Sequence, residues 1–355
     1  RLVRIAPAGL TRVFFSDNGS TAVEVALKIA FQFWQQADGG SQSERRLFVT
    51  LDNAYHGDTV GSVSVGGIPL FHERYGALLF ETLRAPSPYC YRCPLGTAPD
   101  ACSIDCAEAL ERLILDNGDR IAAVVLEPGM QGAAGMIRLP DAFLARARDA
   151  ARRVGTLLIL DEVAVGLGRS GSMFACAREG VAPDMLCLAK GLTGGYLPMA
   201  ATLTTEKIFE AFLGRPEDGR TFFHGHTYTG NQLAAAAAHA TLDIFEREDV
   251  VATLESKIGH LQRELERVAR LDAVGDVRQY GLAAGIELVA DRATKAPFPA
   301  SSRTAMRVCA AAKRRGVFVR PLGDTLVLMP PLSISCDEIS MLVGAIAAGI
   351  DEVCG

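Results

Sequence analysis

The chain has 355 residues, 49% of them hydrophobic, and a formal net charge of -5. That length supports one large α/β domain and a smaller one, and the acidic balance argues against nucleic acid as a partner. No apolar run approaches the roughly 18 residues of a membrane span, no signal peptide is evident, and nine cysteines without one suit a reducing cytoplasm.

The first residue is Arg1, inside ordered-looking sequence, so the beginning reads as truncated. Arg12 to Phe15 predicts a strand. Ser16-Asp17-Asn18-Gly19-Ser20-Thr21 follows as a turn, with Ser20 or Thr21 expected to cap a helix whose apolar positions are Val23, Ala26, Leu27, Ala30, Phe31 and Trp34. A glycine turn feeding a helix N-terminus offers free N–H groups and a favourable dipole to a phosphate, though it is also an ordinary cap in any α/β protein. Leu47 to Leu51 is a second strand. It runs into Tyr55-His56-Gly57, where an aromatic ring could stack on a flat cofactor or simply be packed.

Pro86 to Cys106 carries Cys90-x-x-Cys93 and Cys102-x-x-x-Cys106. The spacing allows a structural zinc staple, and buried thiols with no metal fit it as well. Ala122 to Leu126 is another buried strand, ending in Glu127-Pro128-Gly129-Met130-Gln131. Phe143, Leu144, Ala147, Ala150, Ala151 and Val154 mark the helix that leads into Leu157 to Leu160. Strands alternating with helices in this way make βαβ units and a mostly parallel sheet.

Two apolar runs too short for helices end on ionisable groups, Leu157 to Leu160 at Asp161 and Met185 to Ala189 at Lys190. In open α/β sheets ligands sit at the carboxyl ends of such strands. A lysine ending a buried strand is expected to lose solvation, which favours the neutral amine and suits it to a Schiff base with a carbonyl. An aspartate on the next strand could hold a pyridinium proton; a salt bridge at the sheet edge is the plainer alternative. Between them, Gly166-x-Gly168-x-x-Gly171 matches the dinucleotide fingerprint of a nicotinamide dehydrogenase. Asp161 and Glu162 intervene, and no helical period opens at Gly171, so the match is accidental.

His224-x-His226 lies in a glycine-rich stretch without a third ligand at useful spacing and reads as a loop, with no metal expected there. Val251, Leu254, Ile258, Leu261, Leu265 and Val268 form a helical seam into a second domain. Its last part predicts a hairpin around Pro-Leu-Gly-Asp with Arg320 at the turn, placed to fork onto a carboxylate or merely exposed.

Asp161-Glu-Val, Gly-x-Gly-Arg169-Ser-Gly and Lys190-Gly-Leu, with Gly19-Ser20, Tyr55-His56-Gly57, Glu127-Pro128 and His226-Thr227 in order, resemble the class III aminotransferases, fold type I pyridoxal-phosphate enzymes. The Ser16 to Ala26 turn, Tyr55-His-Gly-Asp58, Leu203-Thr-Thr, and Arg320-Pro-Leu-Gly followed by Leu328-Met-Pro-Pro are similar to the branch that acts on 8-amino-7-oxononanoate. Gln131-Gly132-Ala133 lacks the glutamate that gates an arginine in relatives acting on ornithine or 4-aminobutyrate.

The resemblance implies an α/β fold with a mostly parallel central sheet flanked by helices, a large cofactor domain over 1–248 and a smaller C-terminal α+β domain over 249–355. It implies pyridoxal 5'-phosphate as cofactor, conversion of 8-amino-7-oxononanoate to 7,8-diaminononanoate with S-adenosylmethionine as donor, and a cytoplasmic homodimer with shared active sites. Lysine as donor, or a different amine substrate, are the alternatives. Lys190 would be the catalytic amine, Asp161 the ring-nitrogen partner and Tyr55 the stacking ring. Gly19 and Ser20 would hold the phosphate with Thr227 from the other subunit, and Gly225 and Arg320 would join Tyr55 in binding substrate. Two departures are visible: Val327 stands where users of adenosylmethionine often have a tyrosine, and the family's N-terminal aromatic residues are not in this chain.

Overall fold

The structure, a computed structural model, describes residues 1–355 apart from the side chain of Pro99. Its strands in chain order are β1 (Leu10–Ser16), β2 (Leu47–Leu51), β3 (Thr82–Ala85), β4 (Ile121–Leu126), β5 (Met130–Gln131), β6 (Ile137–Arg138), β7 (Leu157–Asp161), β8 (Met185–Leu188), β9 (Ala200–Thr205), β10 (Val274–Tyr280), β11 (Ala283–Leu288), β12 (Arg320–Leu322) and β13 (Thr325–Leu328). Seven of them form one sheet in the order β1-β9-β8-β7-β4-β2-β3. Pairings from β3 through β8 are parallel, and β9 alone runs against its neighbours.

Every residue of β4, β7 and β8 is buried, which is why these strands read as continuous apolar runs. Alternate side chains go to opposite faces. Val124, Leu158, Leu160, Leu186 and Leu188 join one core with the helices Asp105–Asp116 and Phe143–Val154. Val125, Leu157, Ile159, Met185 and Cys187 join another under the helix Gly19–Gln36. Asp161 pairs with Cys187 and continues the alternation from Ile159, so its side chain falls on the side of the helix Gly19–Gln36.

That helix starts differently from expectation. Asn18, not Ser20 or Thr21, is the N-cap. Its side chain accepts Thr21 N–H at 3.1 Å, and Thr21 Oγ1 accepts Asn18 N–H at 3.2 Å. Asn is as good a cap as Ser, and using it frees Ser20, whose hydroxyl stands 2.8 Å from Thr59 Oγ1 and accepts Thr59 N–H at 3.0 Å.

Of the other two sheets, β5-β6 is a two-stranded antiparallel pair, and the four-stranded antiparallel β10-β11-β13-β12 shares a core with the helices Val250–Val268, Thr304–Arg314 and Cys336–Cys354. The hairpin β12–β13 turns at Gly323-Asp324, where Gly323 has φ +57°. Arg320 therefore begins β12, opposite Val327, and is not at the turn as the sequence suggested. No helix opens at Gly171; the stretch after β7 is a series of turns, so the dinucleotide reading has no structural support. Among the described residues no helix is long and apolar enough to cross a membrane.

Candidate active site

At the carboxyl ends of β7 and β8 a cavity of about 1270 Å³ opens, lined among others by Gly19, Ser20, Tyr55, Asp161, Lys190 and Arg320. Residues far apart in the chain meet here because parallel strands all end on the same side of the sheet.

The amine and the acid arrive on adjacent strands. After Leu188 the chain leaves β8, and a 3-10 turn over Lys190–Thr193 carries Lys190 into the cavity. There Lys190 is exposed, not desolvated as its place behind a buried strand suggested: the turn lifts it clear of the layers that bury Leu188 and Ala189. Asp161, by contrast, is 5% exposed. Its Oδ1 accepts Val163 N–H at 3.0 Å, and its Oδ2 lies 2.8 Å from His56 Nδ1. Burial works against a charge on His56, but the bond to Asp161 and the negative charges of Asp161 and Glu127 outweigh it and raise the imidazole's pKa.

Glu127 follows β4. It accepts Tyr55 N–H at 3.0 Å and Gly132 N–H at 3.1 Å, tying two loops of the cavity together. Burial pushes its carboxyl up to about 7. Tyr55 presents its ring to the cavity and stacks from behind on His72, with centroids 6.5 Å apart and planes 8° from parallel. Burial, and the hydroxyl's bond to Asp58 at 2.9 Å, push its pKa up to about 12, so the phenol keeps its proton.

Gly19 and Ser20 begin the helix Gly19–Gln36, whose first N–H groups and dipole favour an anion. The approach is tight: a Cβ at Gly57, whose φ is +123°, would lie 2.2 Å from Ser20 Oγ. Gly57→Ala is therefore expected to displace Ser20 and weaken phosphate binding, measured as a rise in the cofactor's dissociation constant with the apo-protein still folded.

Two arginines face the cavity. Arg320 is exposed there. Arg169 is largely buried and donates to Leu282 O at 2.9 Å and Pro330 O at 2.6 Å; burial lowers its pKa to about 10. Gly225 and Thr227 are not brought in. Both are exposed on the loop before the helix Gln232–Arg247 and do not line this chain's own cavity.

His56, Glu127 and Arg169 belong to the site although their residue types singled out none of them. All three stand in the motifs that carry the family resemblance, and Glu127 left a second signal, a polar residue just past a buried strand. Their mutual placement is a long-range matter that no local pattern carries.

Glu162, next to Asp161, holds the turns that follow β7 by accepting Ala175 N–H at 2.7 Å and Cys176 N–H at 2.8 Å. Burial nevertheless pushes its carboxyl up to about 7 from 4.5. The folded chain then binds this proton more tightly than the unfolded one. Its contribution to stability is full below about 4.5, declines as pH rises and levels off above about 7. Glu162→Gln should flatten that part of the melting temperature against pH.

The four cysteines 90, 93, 102 and 106 line one small cavity of their own, separate from the one that Lys190 and Asp161 share, and burial raises the thiol pKa of Cys90 and Cys106. Among the described residues no three His, Cys, Asp or Glu side chains are grouped to hold a metal ion.

The profile described as aminotransferase class III matches residues 1–350. An adenosylmethionine-8-amino-7-oxononanoate aminotransferase of Nitratidesulfovibrio vulgaris is 56% identical over 99% of this chain, and the chain spans 65% of that protein's length. The protein of the same name from Geobacter sulfurreducens is 51% identical over the whole chain, which spans 78% of it. Among solved structures, the Methanocaldococcus jannaschii enzyme of that name superposes with a TM-score of 0.93 at 42% identity, over 99% of this chain and 78% of that one. A PLP-bound amine transaminase from an uncultivated Pseudomonas species gives 0.88 at 40%, over 98% and 78%.

Proposed function

Since the chain belongs to the class III aminotransferases, which are pyridoxal-phosphate enzymes, we propose that it transfers an amino group to 8-amino-7-oxononanoate, giving 7,8-diaminononanoate in biotin synthesis, with S-adenosylmethionine as donor. The observation that carries this reading is that the Lys190 amine and the Asp161 carboxylate open on one cavity, with a helix N-terminus and Arg320 on the same walls. The cofactor, when bound, supplies an aldehyde that takes up amines and a ring that stores an electron pair.

The donor set fits that group part by part. Gly19, Ser20 and the helix N-terminus suit its phosphate, Tyr55 its ring face, Asp161 its ring nitrogen and Lys190 its aldehyde. In the reaction Lys190 is the mobile base: exposed in the cavity, it takes the proton from the donor's carbon and later returns one to the acceptor's carbon. Asp161 keeps a proton on the ring nitrogen. Tyr55, its phenol protonated and tied to Asp58, holds the stacking wall in place. Gly225 and Thr227, exposed outside this chain's cavity, we read as reaching the cavity of a second copy in a homodimer. We divide the chain into a cofactor domain over 1–248 and a small domain over 249–355, and place the enzyme in the cytoplasm.

Arg320 is assigned to the carboxylate of the keto substrate. A charge-assisted hydrogen bond contributes about 1.5–3 kcal/mol, roughly 10- to 150-fold in binding. Arg320→Met should raise KM for 8-amino-7-oxononanoate by about that factor, and an analogue without the carboxylate should be insensitive.

The deciding experiment is a donor screen with 8-amino-7-oxononanoate as acceptor, on protein shown to hold its cofactor. Product with S-adenosylmethionine supports the proposal; product only with lysine moves the assignment to the alternative that Val327 leaves open. Failure with every donor would mean a different amine substrate.

A further inference from the structure

Arg278 and Arg320 stand at opposite ends of one row across the four-stranded sheet. Arg278 on β10 pairs with Gly285 on β11, Gly285 with Val327 on β13, and Val327 with Arg320 on β12. Side chains in such a row share a face, and three strand spacings separate its ends by about 14 Å. That face lies against the loop between β5 and β6. A Cβ at Gly285 would come 2.9 Å from Met136 Cβ and 3.1 Å from Gly135 O. Arg278 grips the same loop: Nη2 donates to Gly135 O at 2.7 Å, and Nε donates to the same oxygen at 3.2 Å. Its Nη1 donates to Glu287 Oε2 at 2.6 Å and to Asp276 Oδ2 at 2.7 Å. Glu287 in turn accepts from the Tyr89 hydroxyl and, at 2.6 Å, from Arg92 Nε, both on the stretch that follows β3. Burial works to raise the Glu287 carboxyl's pKa, but these donors hold it below the ordinary range, so the pair stays ionised.

A buried ion pair adds little stability over apolar residues of the same volume. What this one adds is direction, because Arg278 reaches out of its own sheet to a loop of the cavity wall. Gly132, Ala133 and Met136 of that loop line the cavity with Lys190, and Val327 and Arg320 line it from the sheet. We propose that Arg278 is a positioning residue for the keto substrate: clasping Gly135 O while Glu287 holds it, it fixes the four-stranded sheet against the β5–β6 loop and so sets where Arg320 meets the substrate carboxylate. The inference rests on the assignment of Arg320 made above, and its test keeps the two apart.

Arg278→Lys keeps the charge beside Glu287 but has a single nitrogen where the fork reached both Glu287 and Gly135. On full-length protein loaded with cofactor, KM and kcat are measured for 8-amino-7-oxononanoate and for an analogue without the carboxylate. Wild type, Arg278→Lys, Arg320→Met and the double variant are compared. Arg278→Lys should raise KM for 8-amino-7-oxononanoate roughly 10-fold, the lower end of what Arg320's hydrogen bond contributes, with kcat and the analogue's KM near wild type. In the Arg320→Met background the same change should add nothing, because no guanidinium is left there to place. An Arg278→Lys protein like wild type, an equal loss on both substrates, or effects that add in the double variant would each overturn the proposal. If Arg320→Met itself leaves KM unchanged, the assignment of Arg320 fails and this inference with it; if it raises KM and Arg278→Lys does not, only the inference about Arg278 fails. Should Arg278→Lys not fold, Glu287→Gln, which keeps the shape but withdraws the charge that holds the guanidinium, takes its place in the same comparison.

Discussion

Lys190→Ala is expected to abolish turnover. The amine stands where the chain leaves β8, exposed in the cavity, and no second lysine lines those walls. General acid–base catalysis alone contributes on the order of 10²–10⁴-fold, and Lys190 is also the group that would take the cofactor's aldehyde, so the loss should reach at least the upper end. The fold should survive, because an exposed side chain at a turn buries little when removed. The variant should melt like wild type without cofactor, lack borohydride-reducible visible absorbance, and recover a little activity with added small amines. Turnover within 10-fold of wild type would show that another base does the work.

Asp161→Asn is expected to be the second most damaging change. The amide matches the carboxylate in shape but loses its charge and exchanges one acceptor oxygen for a donor. Removing one preorganised electrostatic partner of a transition state costs about 10²–10³-fold in kcat. The loss should fall mainly on kcat, since the substrates touch other walls. Cofactor affinity should drop as well, because an amide facing both His56 and a protonated ring nitrogen cannot serve them as an anion does. A variant with wild-type kcat would remove Asp161 from the chemistry.

Much of the frame was legible because burial leaves a plain mark. β4, β7 and β8 are buried throughout and sit where the apolar runs said, and the helix Phe143–Val154 spans the residues its period marked. What failed was of another kind. The sequence points to Ser20 or Thr21 as the cap; the structure uses Asn18, in a capping box with Thr21, and leaves the Ser20 hydroxyl to Thr59. Lys190 was expected to be desolvated because its neighbours are buried, yet one 3-10 turn reverses that. Arg320 slid from the hairpin's turn to its first strand because the two-residue turn Gly323-Asp324 sets the register.

The site's polar wiring was the least legible part. His56 meets Asp161 across 105 positions of sequence, and Glu127 reaches Tyr55 across 72. Such pairs exist only because parallel strands end together. The roles of Gly225 and Thr227 rest on the family resemblance and the proposed second copy; this chain's own cavity does not include them.

The account depends on one cofactor lying between the groups at 161 and 190. Borohydride reduction of the protein loaded with pyridoxal 5'-phosphate, followed by proteolysis and mass spectrometry, tests it most directly. The account predicts one peptide gaining the reduced cofactor's mass, with the modification on Lys190. Modification of a different lysine, or none in protein that has bound the cofactor stoichiometrically, would contradict it.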